Sequence, residues 1–510
     1  MSLITGSQVS LETTWSAAHE RRPLKLSDEA RAQMARSREY IENRLKGGET
    51  IYGVNTGFGA LSSVKISEKE LEQLQKNLIR SHSVGIGEPF SRAETRAIMY
   101  LRTNTLARGH SGVRPEVADK ILEFLNNDVL PWIPQQGSVG ASGDLAPLSH
   151  LALALIGEGD VWSPTGQKIP ADRMLREKRI EPLRLQAKEG LSLINGCQVM
   201  TAVGLLSAYE IRRLLWIQDL AGAMSLEALQ GSRKAFDPLI PAARPHVGEA
   251  ETCRNLLRIL GAESEISKSH ENCQRVQDAY SLRCMPAVHG AGKAAWRAAR
   301  SVLEIEANSS TDNPLVFAED DKVLSCGNFH GEPIAFQMDY LAIAVSALAN
   351  ISECRIAKIM NPAMSLLPAF LAQEGGLNSG LMIVHVAAAS LVSENKVLAH
   401  PASVDSIPTS ADKEDHVSMG TIAARKLQGI VRNWENVLAM ELLSACQALD
   451  LLKPLQPAAG VQAAFDLIRQ HVPFAKEDRI FSRDLDSLRT LIREDKITET
   501  LSKSVGDLEV

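Results

Sequence analysis

What this sequence lacks excludes several kinds of protein. Its formal net charge is −6, so no basic excess is present to grip nucleic acid or an acidic membrane surface. Neither C-x-x-C nor H-E-x-x-H occurs among its 7 cysteines and 12 histidines, and no metal requirement is expected. Cysteines that are odd in number and unpaired in spacing read as reduced, mostly buried thiols of a cytosolic protein rather than a disulfide framework. The opening segment MSLITGSQVS has neither the basic nor the apolar region of a secretion signal. The longest apolar stretch, residues 340–351, is too short to span a bilayer and reads instead as a buried helix. No internal repeat or low-complexity tract is evident.

What remains is a chain of 510 residues, 45% hydrophobic and 23% charged, with ordinary globular composition and enough length for more than one core. Helix signals dominate. Ser67-x-x-Glu70 and Ser91-x-x-Glu94 are capping-box patterns, Gly47-Gly48 and Gly109 are stop signals, and Pro115 suits a first helical turn. Segments 195–231 and 416–452 are unusually long and helix-like, which predicts a long bundle. Strand signals are confined to two hairpin candidates, 161–169 and 314–326. The fold expected is mainly α: a long central helical bundle, a smaller N-terminal α-rich region carrying loops, and few short strands. The boundary is set near 194, giving regions 1–194 and 195–510, with a charged C-terminal segment from about 475.

The most informative stretch is Gly137–Asp144, GSVGASGD, directly before an apolar segment that reads as a helix. Runs of small residues are usually flexible turns. A phosphate-cradling loop is a second reading, but the P-loop lysine is missing. The third reading is chemical. The amide nitrogen of Gly143 attacks the carbonyl carbon of Ala141, and two waters leave, one of them carrying the Ser142 hydroxyl. The product is a methylidene-imidazolone, an electrophile made from backbone and needing no external cofactor. Glycine is required at 143 because a Cβ would crowd the attacking nitrogen.

GSVGASGDLAPLSH resembles the signature of the aromatic amino-acid ammonia-lyases. The blocks YGVNTGFG (52–59), SHSVGIGEP (81–89), INGCQ (194–198), QDAYSLRC (277–284), TDNPLVF (311–317), GNFHGEP (327–333) and SIPTSADKEDHVSM (406–419) follow in the family's order. The histidine-specific branch is the most similar. The resemblance implies elimination of ammonia from L-histidine to give trans-urocanate, the first step of histidine degradation. It also implies an imidazolone formed from Ala141, Ser142 and Gly143, and a homotetramer whose active sites draw residues from three subunits.

The same resemblance assigns roles. Tyr52, in a glycine-rich lid loop, takes the β-proton; Asn195 and Tyr280 adjoin the electrophile. Arg283 grips the substrate carboxylate with two parallel hydrogen bonds, Gln277 helps orient the substrate, and Phe329 forms an apolar wall. His82 and Glu414 face the imidazole, which offers an N–H donor and an N acceptor where a phenyl ring offers neither. Each residue has a plainer alternative: a loop anchor for Tyr52, a helix cap for Asn195, a surface ion pair for Arg283, core packing for Phe329, and a satisfied polar residue at a helix end for His82 and Glu414. The pair Cys326-x-x-x-His330 reads as packing. The chain departs from the usual family pattern at Ser83, Asp412-Lys413 and Cys284-Met285-Pro286-Ala287. A tyrosine or phenylalanine ammonia-lyase or aminomutase, and a catalytically silent helical scaffold, are the competing readings.

Overall fold

In a computed structural model, which describes residues 2–57, 59, 63–271 and 275–510, helices account for most of the chain and every sheet is two-stranded. Phe58 of the lid motif and Cys273 lie outside the described residues. The two long segments are helices Gln198–Ala228 and Gly420–Leu451, of 31 and 32 residues. Two more of this kind, Met285–Ala307 and Glu332–Met360, were not anticipated. The second of these contains the apolar stretch 340–351 and is long and apolar enough to cross a membrane. Its apolar positions Leu341, Ala342, Val345, Leu348 and Ala349 are nevertheless buried in the protein, as in a core helix.

Local signals explain most boundaries. Ser91 caps helix Arg92–Ala107 and Glu94 completes the capping box, while Pro115 opens helix Pro115–Asn126. Gly47 ends helix Asp28–Lys46. Ser67 does not act as predicted. Its hydroxyl donates to the Glu70 carboxylate at 2.6 Å, a 3-10 turn spans Glu68–Glu70, and the α-helix starts only at Leu71. Both hairpins form, pairing Asp160–Trp162 with Lys168–Pro170 and Leu315–Phe317 with Lys322–Leu324. Two further pairings carried no clear sequence signal: parallel Ser2–Ile4 with Leu24–Leu26, and antiparallel Ile86–Pro89 with Pro134–Gln136.

The chain divides into two compact units. The first is Met1–Tyr209, Ala299–Asp339 and Pro401–Arg425; the second is Glu210–Ala298, Tyr340–His400 and Lys426–Val510. The first unit therefore extends beyond residue 194 and takes back two later segments that carry family motifs. In the second unit, helices approach closely where side chains are smallest: a Cβ on Gly248 would stand 2.3 Å from the Gly290 carbonyl oxygen.

That unit also buries charge. Arg355 donates from Nε and Nη2 to the two Glu441 oxygens at 2.5 and 2.9 Å, and Ser225 donates to Glu441 Oε1 at 2.6 Å. Asp219 accepts from Lys293 and from His289 Nδ1, both at 2.8 Å, and all three side chains are fully buried. Taking these ions out of water is costly, so each needs its partner. Glu441→Gln keeps the shape but removes the charge opposite Arg355. It is expected to lower stability by about 3–5 kcal/mol, read from the urea unfolding midpoint. A loss below about 1 kcal/mol would contradict this account of the network.

Candidate active site

The GSVGASGD octet is held from three sides within the first unit. Gly140 O accepts from Ser418 Oγ at 3.0 Å and from Gly331 N–H at 3.3 Å, and Val139 O accepts from Met419 N–H at 2.8 Å. Behind the turn lies Gly196, whose carbonyl accepts from Asp144 N–H at 2.7 Å while its N–H faces Ser142 O at 3.4 Å. Gly143 sits at φ +72°, and a Cβ there would come within 2.2 Å of the Gly196 oxygen. Backbone conformation and backbone contact thus each demand glycine at 143.

Asp144 fixes this turn to the core. It heads helix Leu145–Leu155, yet its side chain does not cap that helix. The fully buried carboxylate instead accepts from Val199 and Met200 N–H at 2.9 and 3.0 Å, the free donors of helix Gln198–Ala228. Its other oxygen accepts from Ser138 Oγ at 3.2 Å and from Thr421 Oγ1. Desolvation outweighs these bonds and lifts the carboxyl to about 6.

Ser142 opens onto a cavity of about 770 Å³ lined entirely by first-unit residues. Tyr52, His82, Ala141, Asn195, Phe329 and Glu414 share that lining with it. Ser142 Oγ donates to Glu414 Oε1 at 2.8 Å, and Glu414 Oε2 accepts from Thr409 Oγ1 at 2.7 Å and Ser410 Oγ at 3.0 Å. Hydroxyls, rather than the neighbouring Lys413, hold the carboxylate. Its loop closes through a Thr409–Glu414 bridge, with Ser410, Ala411 and Asp412 all at positive φ. Three consecutive non-glycine residues in that region store strain, as often occurs at functional sites.

The other lining residues are equally constrained. Asn195 is no N-cap; it ends the short helix Glu189–Ile194. Its Nδ2 donates to Asn313 O at 3.3 Å, while Oδ1 is buried without a partner. A buried amide oxygen of this kind leaves an acceptor available to whatever occupies the cavity. His82 Nδ1 lies 2.8 Å from Leu78 O, which can only accept, so Nδ1 carries the proton and Nε2 is an acceptor. Burial holds the His82 pKa below its ordinary value, keeping the ring neutral. Tyr52 Oη accepts from Gly59 N–H at 3.4 Å, across its own glycine-rich loop. Phe329 also presents its carbonyl to Cys197 Sγ at 3.0 Å. Cys326 bonds to Asp312 O and makes no pair with His330.

Gln277, Tyr280 and Arg283 are not among the residues lining this cavity; they belong to the second unit. Tyr280 is 71% exposed, and the Arg283 guanidinium lies 4.6 Å from the centre of its ring. Arg283 Nε donates to Asp278 O at 3.2 Å, which with the ring contact orients the group. Sequence reasoning overlooked the role of Asp144, although its place beside Gly143 was a usable signal. Asn313 lay in the TDNPLVF block without being singled out, and Thr421 left no signal, because only the folded chain brings it near.

The residues present fit a tripeptide that cyclises on itself: a glycine turn backed by main chain, a serine hydroxyl facing the cavity, and a free buried amide oxygen beside it. The aromatic amino acid lyase family model matches residues 9–470. A protein named histidine ammonia-lyase from Koribacter versatilis is 51% identical over 507 residues, covering 97% of this chain and 98% of that protein. The histidine ammonia-lyase structure from Trypanosoma cruzi is 43% identical with a TM-score of 0.92, covering 99% of this chain and 95% of that one. Tyrosine aminomutase from Streptomyces globisporus is 35% identical over the full length of both chains, with a TM-score of 0.94. The backbone alone therefore does not separate these activities.

Because Asp144 is protonated more readily when folded than when unfolded, its contribution to stability is complete below about pH 4 and is lost as pH rises through about 6. Compared with Asp144→Asn, the native chain should lose about 2 kcal/mol between pH 4 and 7, measured by unfolding at each pH. A difference independent of pH would contradict the assignment.

Proposed function

The chain belongs to the aromatic amino acid lyase family, and on that premise we propose that it eliminates ammonia from L-histidine to give trans-urocanate, as a carbon–nitrogen lyase. The observation that carries the reading is the Glu414 carboxylate at 2.8 Å from the Ser142 hydroxyl. It sets a side-chain acceptor beside the position where the family's electrophile forms.

The methylidene-imidazolone held by Ala141, Ser142 and Gly143 would supply an electrophile for the substrate amino group. The remaining work falls to the protein's own side chains. Tyr52, on the lid, takes the β-proton, and the lid excludes water from the cavity. Asn195 offers its unpartnered amide oxygen to the amino end of the substrate. Phe329 forms an apolar wall against the ring. Gln277, Tyr280 and Arg283, absent from this cavity's lining, are contributed by neighbouring subunits of a homotetramer. In that arrangement Arg283 holds the carboxylate.

Specificity follows from acceptors. Glu414 and the Nε2 atom of His82 both accept hydrogen bonds, so the complementary side chain is one that donates. An imidazole provides N–H groups, two when protonated; a phenyl ring provides none and would bring no donor to the half-buried Glu414 carboxylate. A phenol provides one O–H, which leaves tyrosine as the second reading, and the higher identity to histidine enzymes favours the first. Free thiols at all six described cysteines support a cytoplasmic setting.

Purified protein supplied separately with L-histidine, L-tyrosine and L-phenylalanine should release its unsaturated acid fastest from histidine, followed by near-ultraviolet absorbance. Faster turnover of tyrosine would overturn the assignment. Glu414→Gln should reduce kcat/KM for histidine by about 10–100-fold, with a smaller effect on phenylalanine. An equal loss on both substrates would remove Glu414 from side-chain recognition.

A further inference from the structure

At the rim of the cavity, His330 and Glu332 of the GNFHGEP loop meet His416, two residues beyond Glu414. One ligand atom from each lies within 4.8 Å of the others. Glu332 Oε2 is 3.8 Å from His330 Nδ1 and 3.8 Å from His416 Nε2, too far for a direct hydrogen bond. This oxygen is buried and has no partner. The two imidazole rings are parallel to within 2°, with centroids 5.6 Å apart.

Proton placement sharpens the arrangement. His330 Nε2 lies 3.2 Å from the carbonyl oxygen of His416, which can only accept, so the ring proton is on Nε2. His330 Nδ1 then presents a lone pair, met only by a long 3.4 Å approach from Glu332 N–H. In the neutral ring that lone pair and a buried carboxylate oxygen face one another 3.8 Å apart. Two acceptors in that geometry repel unless a proton or a metal cation joins them, and at 3.8 Å the gap is longer than a proton-bridged hydrogen bond. An imidazole whose far N–H is fixed by a backbone carbonyl is also the usual second-sphere arrangement around a metal ligand.

We propose that His330, Glu332 and His416 form a site for a borderline divalent cation such as Zn²⁺ or Co²⁺, with water completing its coordination. Two imidazoles and one carboxylate suit such ions. Bonds near 2.0–2.2 Å require only a modest contraction of the three side chains, a distance range common to His and carboxylate ligands of zinc. The ion would tie the loop bearing Phe329 to the loop bearing Glu414, two walls of the cavity. It is separate from the elimination chemistry, so the site stands or falls independently of the substrate.

Co²⁺ titrated into chelator-treated full-length protein, followed by visible d–d absorption, tests this directly. The expected result is saturation at one ion per chain, displacement by Zn²⁺, and affinity at least about 10-fold weaker in Glu332→Gln and in His416→Gln, each checked for native circular dichroism. Glu332→Gln is nearly isosteric and His416 is largely exposed, so one variant or the other should retain the fold. The proposal is overturned by affinity unchanged in a folded variant, by the absence of saturable binding, or by a thiolate charge-transfer band placing the ion on cysteine.

Discussion

The site depends on one backbone contact: the turn through Gly143 resting on the carbonyl of Gly196. A 2.2 Å clearance for a would-be Cβ excludes any side chain at 143, and the bond from Asp144 N–H to Gly196 O holds the turn closed. Asp144 then converts a local turn into a fixed one, because its carboxylate occupies the donor end of helix Gln198–Ala228. That carboxylate is buried at a cost visible in its raised pKa. The cost is only partly offset by four bonds from three separate parts of the chain. Ala141, Ser142 and Gly143 are therefore held in a fixed turn, which is the condition for the proposed closure of backbone on itself.

A second constraint meets the first at Ser142, whose hydroxyl donates to Glu414 at 2.8 Å. The loop from Thr409 to Glu414 adopts three consecutive positive φ angles and is secured by its own bridge and by hydroxyls on the Glu414 carboxylate. Strain in that loop keeps Glu414 directed at Ser142. With His82 fixed as a neutral acceptor, the cavity lining combines charge and lone pairs with the apolar Phe329. On the proposed function, such a site would distinguish side chains by what they donate rather than by size.

Much of this was legible in the sequence, for physical reasons. The octet could be singled out because the chemistry proposed for it is local: three adjacent residues would supply nucleophile, carbonyl and leaving hydroxyl. Tyr52, His82, Asn195, Phe329 and Glu414 were named in advance, and the fold brings all of them to the cavity of Ser142. Ser91 and Pro115 marked helix starts because capping is settled within one turn. Ser67 misled because its hydroxyl found the Glu70 side chain instead of the backbone. Helices Met285–Ala307 and Glu332–Met360 went unrecognised as long helices. Asp144 was read as a helix start, when its carboxylate serves a different helix more than fifty residues on. The meeting of His330 with His416 lies beyond any sequence window, since eighty-odd residues separate them.

The central claim is that Ala141, Ser142 and Gly143 close into a ring. The most direct measurement is the mass of the proteolytic fragment containing residues 137–144, taken from purified protein with demonstrated lyase activity. The account predicts a fragment lighter than its sequence by two water molecules, restored to the open-chain mass less at most one water in Ser142→Ala. An unaltered mass in fully active protein would contradict it.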